Sequence, residues 1–204
     1  MVAKGQFLER PALIDAGGFL LEGLYHRGEE APSLLVCPPL GEGVGMDAPA
    51  VAELAFAAAR AGRASLRFQH RGRGGSQGEV DGSRAVDDAE AARRHLEECD
   101  GPQIALAAYT SGAATAIALA ARVPLTRRLI LVAPPSPAAL PALRERLRVL
   151  AIFPEAVEPA LLGSWRKLTS ARDGSTAIVE GGPDEQFLRG LVQVGQRAME
   201  WLRS

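Results

Sequence analysis

The chain has 204 residues, 47% of them apolar, and a formal charge of −1. That length suits one domain with a sizeable core, and the apolar share excludes an intrinsically disordered chain. The near balance of basic and acidic residues lacks the cationic excess of a nucleic-acid binder.

Strand and helix signals alternate along the chain. Leu13-Ile14 and Phe19–Tyr25 flank Ala16-Gly17-Gly18, a hairpin signature. Leu34-Leu35-Val36-Cys37 is a continuous apolar run, as in a strand buried on both faces. A helix follows, with Asp47 as its cap, Pro49 in its first turn and Gly62 at its end. Ala64–Phe68 reads as the next strand and Arg71–Gly78 as a glycine-rich loop. Ser83 is placed to cap a helix whose one side is Val86, Ala89, Leu96 and Cys99, with Asp87 and Asp88 near its positive end. Ile104–Ala108 reads as a strand and Ser111–Arg122 as a buried alanine-rich helix. Leu129–Ala133 and Val149–Phe153 are strands separated by a short helix around Ala139–Leu147. A helix around Pro159–Ala171, a strand Thr176–Val179 and an amphipathic helix Phe187–Leu202 complete the order. A hairpin leading into strand–helix units predicts a single domain, residues 1–204, with a mostly parallel sheet and helices on both faces. In such sheets ligands sit beyond the carboxyl ends of the strands.

Ala108-Tyr109-Thr110-Ser111-Gly112 lies where a strand turns sharply into a helix, the setting of a nucleophile elbow. The turn needs small residues two places either side of its centre. Ala108 and Gly112 meet that need if Thr110 is central, whereas centring on Ser111 would put Tyr109 at a crowded position. Thr110 therefore takes the nucleophile position. A β-branched residue fits that strained backbone poorly, and a threonine nucleophile needs a base. Thr110 and Ser111 also read more plainly as residues satisfying a helix start.

Three loops carry a family resemblance. They are Pro38-Pro39-Leu40-Gly41-Glu42-Gly43-Val44-Gly45-Met46-Asp47, then Leu66-Arg67-Phe68-Gln69-His70-Arg71-Gly72-Arg73-Gly74-Gly75-Ser76, then Leu106-Ala107-Ala108-Tyr109-Thr110-Ser111-Gly112-Ala113. They resemble the HPxxxxGGxM, LRFNFRGVGxSxG and LAGFSFGA loops of small bacterial α/β hydrolases related to dienelactone hydrolase. The likeness runs from about residue 20 to 202 and is weaker towards the C-terminus. It implies the α/β-hydrolase fold, a three-layer αβα sandwich with an N-terminal antiparallel hairpin.

The resemblance also implies that the catalytic triad is substituted. The family acid lies in a G-[DE]-x-D-x-x-V pattern, and Val157 falls at the aspartate, with Glu155 and Glu158 off register. Gln186 falls at the histidine. Independently of any family, no histidine follows His95, yet a triad on this fold runs nucleophile, acid, histidine. Glutamine does not titrate, so it cannot take the hydroxyl proton. His26 and His95 read as solvated surface groups, and His70 as a loop residue fixing the Arg71–Gly75 turn. The oxyanion hole would draw on the Ser111 N–H and on the loop after Cys37. There the match places Pro39 near the donor position, and proline has no N–H, whereas an offset of one would give the role to Leu40. Losing one such donor costs roughly a hundredfold to a thousandfold in rate.

Other motifs carry less. In Gly41-Glu42-Gly43-Val44-Gly45 the third glycine comes one place early for a dinucleotide fingerprint, no ribose-binding acid follows, and no P-loop is present. Arg71-Gly72-Arg73-Gly74-Gly75 is too short for an RGG tract. Cys37 and Cys99 read as free, small buried thiols, and with three scattered histidines they suggest no metal site. The alanine-rich stretch Ala50–Ala61 is interrupted by Glu53 and Arg60, so no membrane span is expected. Met1–Gln6 has no signal-peptide apolar core, which suggests a cytoplasmic location. The expectation is a non-catalytic homologue without cofactor, monomeric or homodimeric, binding a small molecule or a protein partner. Pro39, Leu40, His70, Tyr109, Ser111 and Phe153 would line its pocket. The alternative is an esterase or thioesterase in which Thr110 works with Glu155, Glu158 or Glu185.

Overall fold

A computed structural model describes residues 8–41, 45–143, 145–179, 187 and 189–204. The hairpin strands β1 (Arg10–Asp15) and β2 (Leu20–His26) lead into β3 (Glu30–Cys37), α1 (Pro49–Arg60) and β4 (Arg63–Phe68). Then come α2 (Ala85–Asp100), β5 (Ile104–Tyr109), α3 (Gly112–Arg122), β6 (Arg128–Val132) and β7 (Arg148–Pro154). The helix α4 (Pro159–Ser170), strand β8 (Ser175–Val179) and helix α5 (Leu191–Arg203) complete the order. The strands form one sheet in the order β1-β2-β4-β3-β5-β6-β7-β8. The pairs β1–β2 and β2–β4 are antiparallel, and every later pair is parallel. This is the expected α/β-hydrolase fold.

Alternation along each strand builds two cores. Leu34 and Val36 of β3 enter the core under α1 and α5, where Leu54, Val194, Ala198 and Leu202 meet them. Leu35 and Cys37 point the other way, into the core under α2, α3 and α4 with Leu96, Ile117 and Trp165. Both faces of β3 are therefore dry, which is why that segment reads as an unbroken apolar run. Each fully buried Leu of this kind contributes about 1.5–3 kcal/mol.

Several local expectations are corrected. Ala48, not Asp47, precedes α1, and the Asp47 carboxylate accepts from Arg67 Nη1 at 2.8 Å. Asp81 holds a short 3-10 turn, Gly82–Arg84, through the Ser83 amide, and α2 starts only after it. No helix forms at the described residues between Leu140 and Leu147. Leu140 precedes Pro141, which disfavours helical backbone, and it is extended at φ −112°, ψ 156°. The last helix begins at Leu191 rather than Phe187, because Phe187 has φ +53° and cannot be part of an α-helix. His26 is buried, not solvated: it lies 3.2 Å from Ser65 Oγ, near the Phe56 ring of α1. Cys99 is exposed rather than buried, since the inward stripe of α2 ends one turn earlier at Leu96.

Candidate functional site

The carboxyl ends of β3, β4, β5 and β7 bring the candidate residues to one end of the sheet. Thr110 follows β5 directly with φ +46°, the left-handed region. That conformation costs an L-residue about 1–2 kcal/mol and is rare for a β-branched side chain. The surrounding bonds hold it there. Its N–H donates to the Val132 carbonyl of β6 at 2.9 Å, and its carbonyl accepts from Ala113 of α3 at 3.1 Å. The turn lets α3 start hard against β3. A Cβ on Gly112 would lie 2.7 Å from both the Cys37 and Pro38 carbonyl oxygens, so the position needs glycine. The tight strand-to-helix turn expected at Ala108–Gly112 is thus present in the backbone.

The Thr110 hydroxyl makes no hydrogen bond among the described residues. Ser111 is exposed, and its Oγ accepts the Leu40 N–H at 3.0 Å. The loop after β3 therefore does present an amide at Leu40, one residue beyond the buried Pro39, but the neighbouring serine already occupies it.

None of the three histidines in the chain is hydrogen-bonded to Thr110. His26 sits on β2 and His95 on α2. His70, directly beyond β4, is 4% exposed and turns its Nδ1 towards Asp88 Oδ2 at 3.4 Å. Its ring meets Phe68 edge-on at 5.0 Å, its carbonyl accepts from Arg73, and its Nε2 is buried without a hydrogen-bond partner. Asp88 is the residue sequence reasoning undervalued. It is fully buried and anchors the start of the loop after β4, taking Arg71 Nε at 2.8 Å, Nη2 at 2.6 Å and the Arg71 N–H at 3.1 Å. Burial pushes its carboxyl pKa up, but the bonds from His70 and Arg71 outweigh that and leave it below the ordinary value. The available signal was its spacing: Asp88 falls in the inward stripe with Ala85, Ala92 and Leu96.

The remaining candidates separate. Val157, beyond β7, is half-buried against the apolar core, while Glu155 and Glu158 are exposed beside it. Tyr109 and Phe153 are both buried but belong to opposite cores, so the sheet lies between them, with Phe153 packed against Trp165 at 6.4 Å. Gln186 and Glu185 lie outside the described residues, as do Glu42, Gly43 and Val44. Burial pushes the Cys37 thiol up to about 12, so it is protonated and inert at neutral pH. A cavity of about 460 Å³ opens between the β3 and β4 loops, lined by Asp47, Pro49, Gln69 and Arg73; Thr110 is not part of its wall. No group of three potential metal ligands lies among the described residues, and no described helix is long and apolar enough to cross a membrane.

No curated protein sequence matches the chain. Solved structures share its fold. An α/β serine hydrolase homologue from Coxiella burnetii is 25% identical with a TM-score of 0.80, covering 95% of this chain and 97% of its own. A lid-free α/β serine hydrolase from Xanthomonas campestris is 23% identical with a TM-score of 0.77, covering 96% and 94%. Dienelactone hydrolase from Anabaena variabilis is 17% identical with a TM-score of 0.75, covering 97% and 98%. The family model described as serine aminopeptidase, S33, matches residues 40–198, most of the chain. With that match and the strand-to-helix turn at Thr110, the chain belongs to the serine aminopeptidase S33 family of α/β hydrolases.

Proposed function

We propose that this chain is a single-domain, cytoplasmic, non-catalytic member of its family, which keeps the hydrolase scaffold to bind a small molecule or a protein partner. The observation that carries the reading is that Thr110 stands at the elbow with no imidazole on its hydroxyl. His70, the histidine at that end of the sheet, is turned to Asp88 instead. Without a base the hydroxyl keeps its proton at neutral pH and is a weak nucleophile. The Leu40 amide adds to the case. Its hydrogen bond to Ser111 Oγ would have to break before it could stabilise a developing oxyanion. At the acid and histidine positions implied by the family likeness, Val157 and Gln186 supply neither a charge nor a titrating group.

The test pairs fluorophosphonate labelling with turnover of short acyl esters and thioesters, on the wild type and on Thr110→Ala. The expected outcome is no label and the same background rate for both proteins. Turnover above background that disappears in Thr110→Ala would overturn the proposal. It would favour the esterase or thioesterase reading, with Glu155, Glu158 or Glu185 as base.

A further inference from the structure

The strands of the parallel sheet begin at the end of the molecule opposite Thr110, and there a cavity of about 600 Å³ opens. Segments distant in sequence bring four arginines to its wall. Arg63 opens β4, Arg127 and Arg128 lead into β6, and Arg203 ends α5. Pro32 and Leu202 add apolar wall between them. Within a chain of net charge −1, this is a marked local concentration of positive charge.

The protein itself matches these cations only in part. Arg63 is 6% exposed. One guanidinium N–H donates to the Pro32 carbonyl at 3.2 Å, while its Nε is buried with no hydrogen-bond partner. Such an unmet donor carries a desolvation cost that the protein itself leaves uncompensated. Arg128 donates to the Leu202 carbonyl at the end of α5. Among the described residues, none of the four guanidiniums is in an ion pair. Glu30, the register partner of Arg63 on β3, is the carboxylate acting on it, through space only. Burial draws the Arg63 pKa down, Glu30 draws it up, and the charges of Arg128 and Arg203 draw it down again, for a net fall.

We propose that this cavity binds a small multivalent oxyanion of metabolite size, a phosphate compound or a dicarboxylate. Guanidinium groups bind such oxyanions through paired, charge-assisted hydrogen bonds. The volume lies within the roughly 300–1,000 Å³ typical of small-ligand pockets. The concave wall, with one arginine sunk into it, suits a compact ligand better than the flat surface of a polyanion. The proposal does not rest on the inert-elbow reading, because the cavity lies at the other end of the sheet and holds whether or not Thr110 reacts.

The experiment is isothermal titration calorimetry on the full chain with three probes: AMP, pyrophosphate and malate, each against sodium chloride at matched ionic strength. Saturable binding at one site per chain is expected for at least one probe. AMP or pyrophosphate without malate assigns a phosphate ligand, and malate alone assigns a dicarboxylate. Arg63→Gln is expected to weaken that binding by about tenfold or more, the usual effect of losing a hydrogen bond to a charged group. Because Arg63 is buried and its variant carries a folding risk, the exposed pair Arg127→Gln/Arg203→Gln is measured alongside, with a several-fold loss expected. No saturable heat from any probe above the chloride control would overturn the proposal. So would an affinity unchanged in the Arg127→Gln/Arg203→Gln protein.

Discussion

Replacing Asp88 with asparagine removes one negative charge from a fully buried site while nearly preserving shape. Asp88 Oδ1 takes both Arg71 Nε and Nη2, and Oδ2 takes the Arg71 N–H and faces His70 Nδ1. Arg71 is itself largely covered, with its guanidinium 4.7 Å above the Phe19 ring, so solvent only partly replaces the lost partner. Breaking a buried pair by removing one member typically costs about 3–5 kcal/mol. For a chain of this size that is a fall in melting temperature of roughly 6–20 °C. The assay is urea unfolding at pH 7, comparing midpoints at constant slope. The pH dependence follows with its sign. The folded-state pKa of Asp88 lies below its unfolded value. Its contribution is therefore complete above the unfolded value of about 3.9 and is lost as pH falls through the lower folded value. The gap between wild type and Asp88→Asn should thus narrow only below about pH 4. A double-mutant cycle with Arg71→Gln should show strong coupling. A loss under about 1 kcal/mol at pH 7, with no coupling to Arg71, would refute the reasoning, because it falls below the usual range for a buried pair.

Two other outcomes follow from the same geometry. Gly112→Ala would place a Cβ 2.7 Å from two backbone carbonyl oxygens, neither able to swing aside. Thermal melting should show a loss of about 1–3 kcal/mol, as for other overpacked sites, and an unchanged melting temperature would contradict the close approach of α3 to β3. Cys37 is buried and held protonated, whereas Cys99 is exposed. Dithionitrobenzoate at pH 8 should therefore modify one thiol per folded chain and two after denaturation, and rapid modification of both in the folded protein would contradict that burial.

Much of the fold was legible because local pattern and global packing agree. The unbroken run at Leu34–Cys37 marks a strand dry on both faces, and Pro49 and Gly62 bracket the helix that follows. The backbone strain at Thr110 was readable too, from small residues two places to either side. Less legible were features that depend on what a residue meets across space. Asp47 carries a capping side chain, yet Arg67 claims it from a neighbouring strand, and a charged partner outweighs a helix amide. The apolar spacing that predicts a last helix from Phe187 reads straight through a residue whose φ is positive.

By itself, the order of amino acids determined the layering of the protein, the position of its tight turn, and the absence of any histidine beyond residue 95. These are properties of neighbours along the chain, and steric preference and side-chain period suffice to express them. Only the tertiary structure decided that His70 faces Asp88, that Ser111 occupies the Leu40 amide, and that Arg63, Arg127, Arg128 and Arg203 surround one cavity. Apart from the adjacent Arg127 and Arg128, those groupings join residues from about 18 to 140 positions apart in sequence, and their partners are chosen by how the sheet assembles rather than by local periodicity.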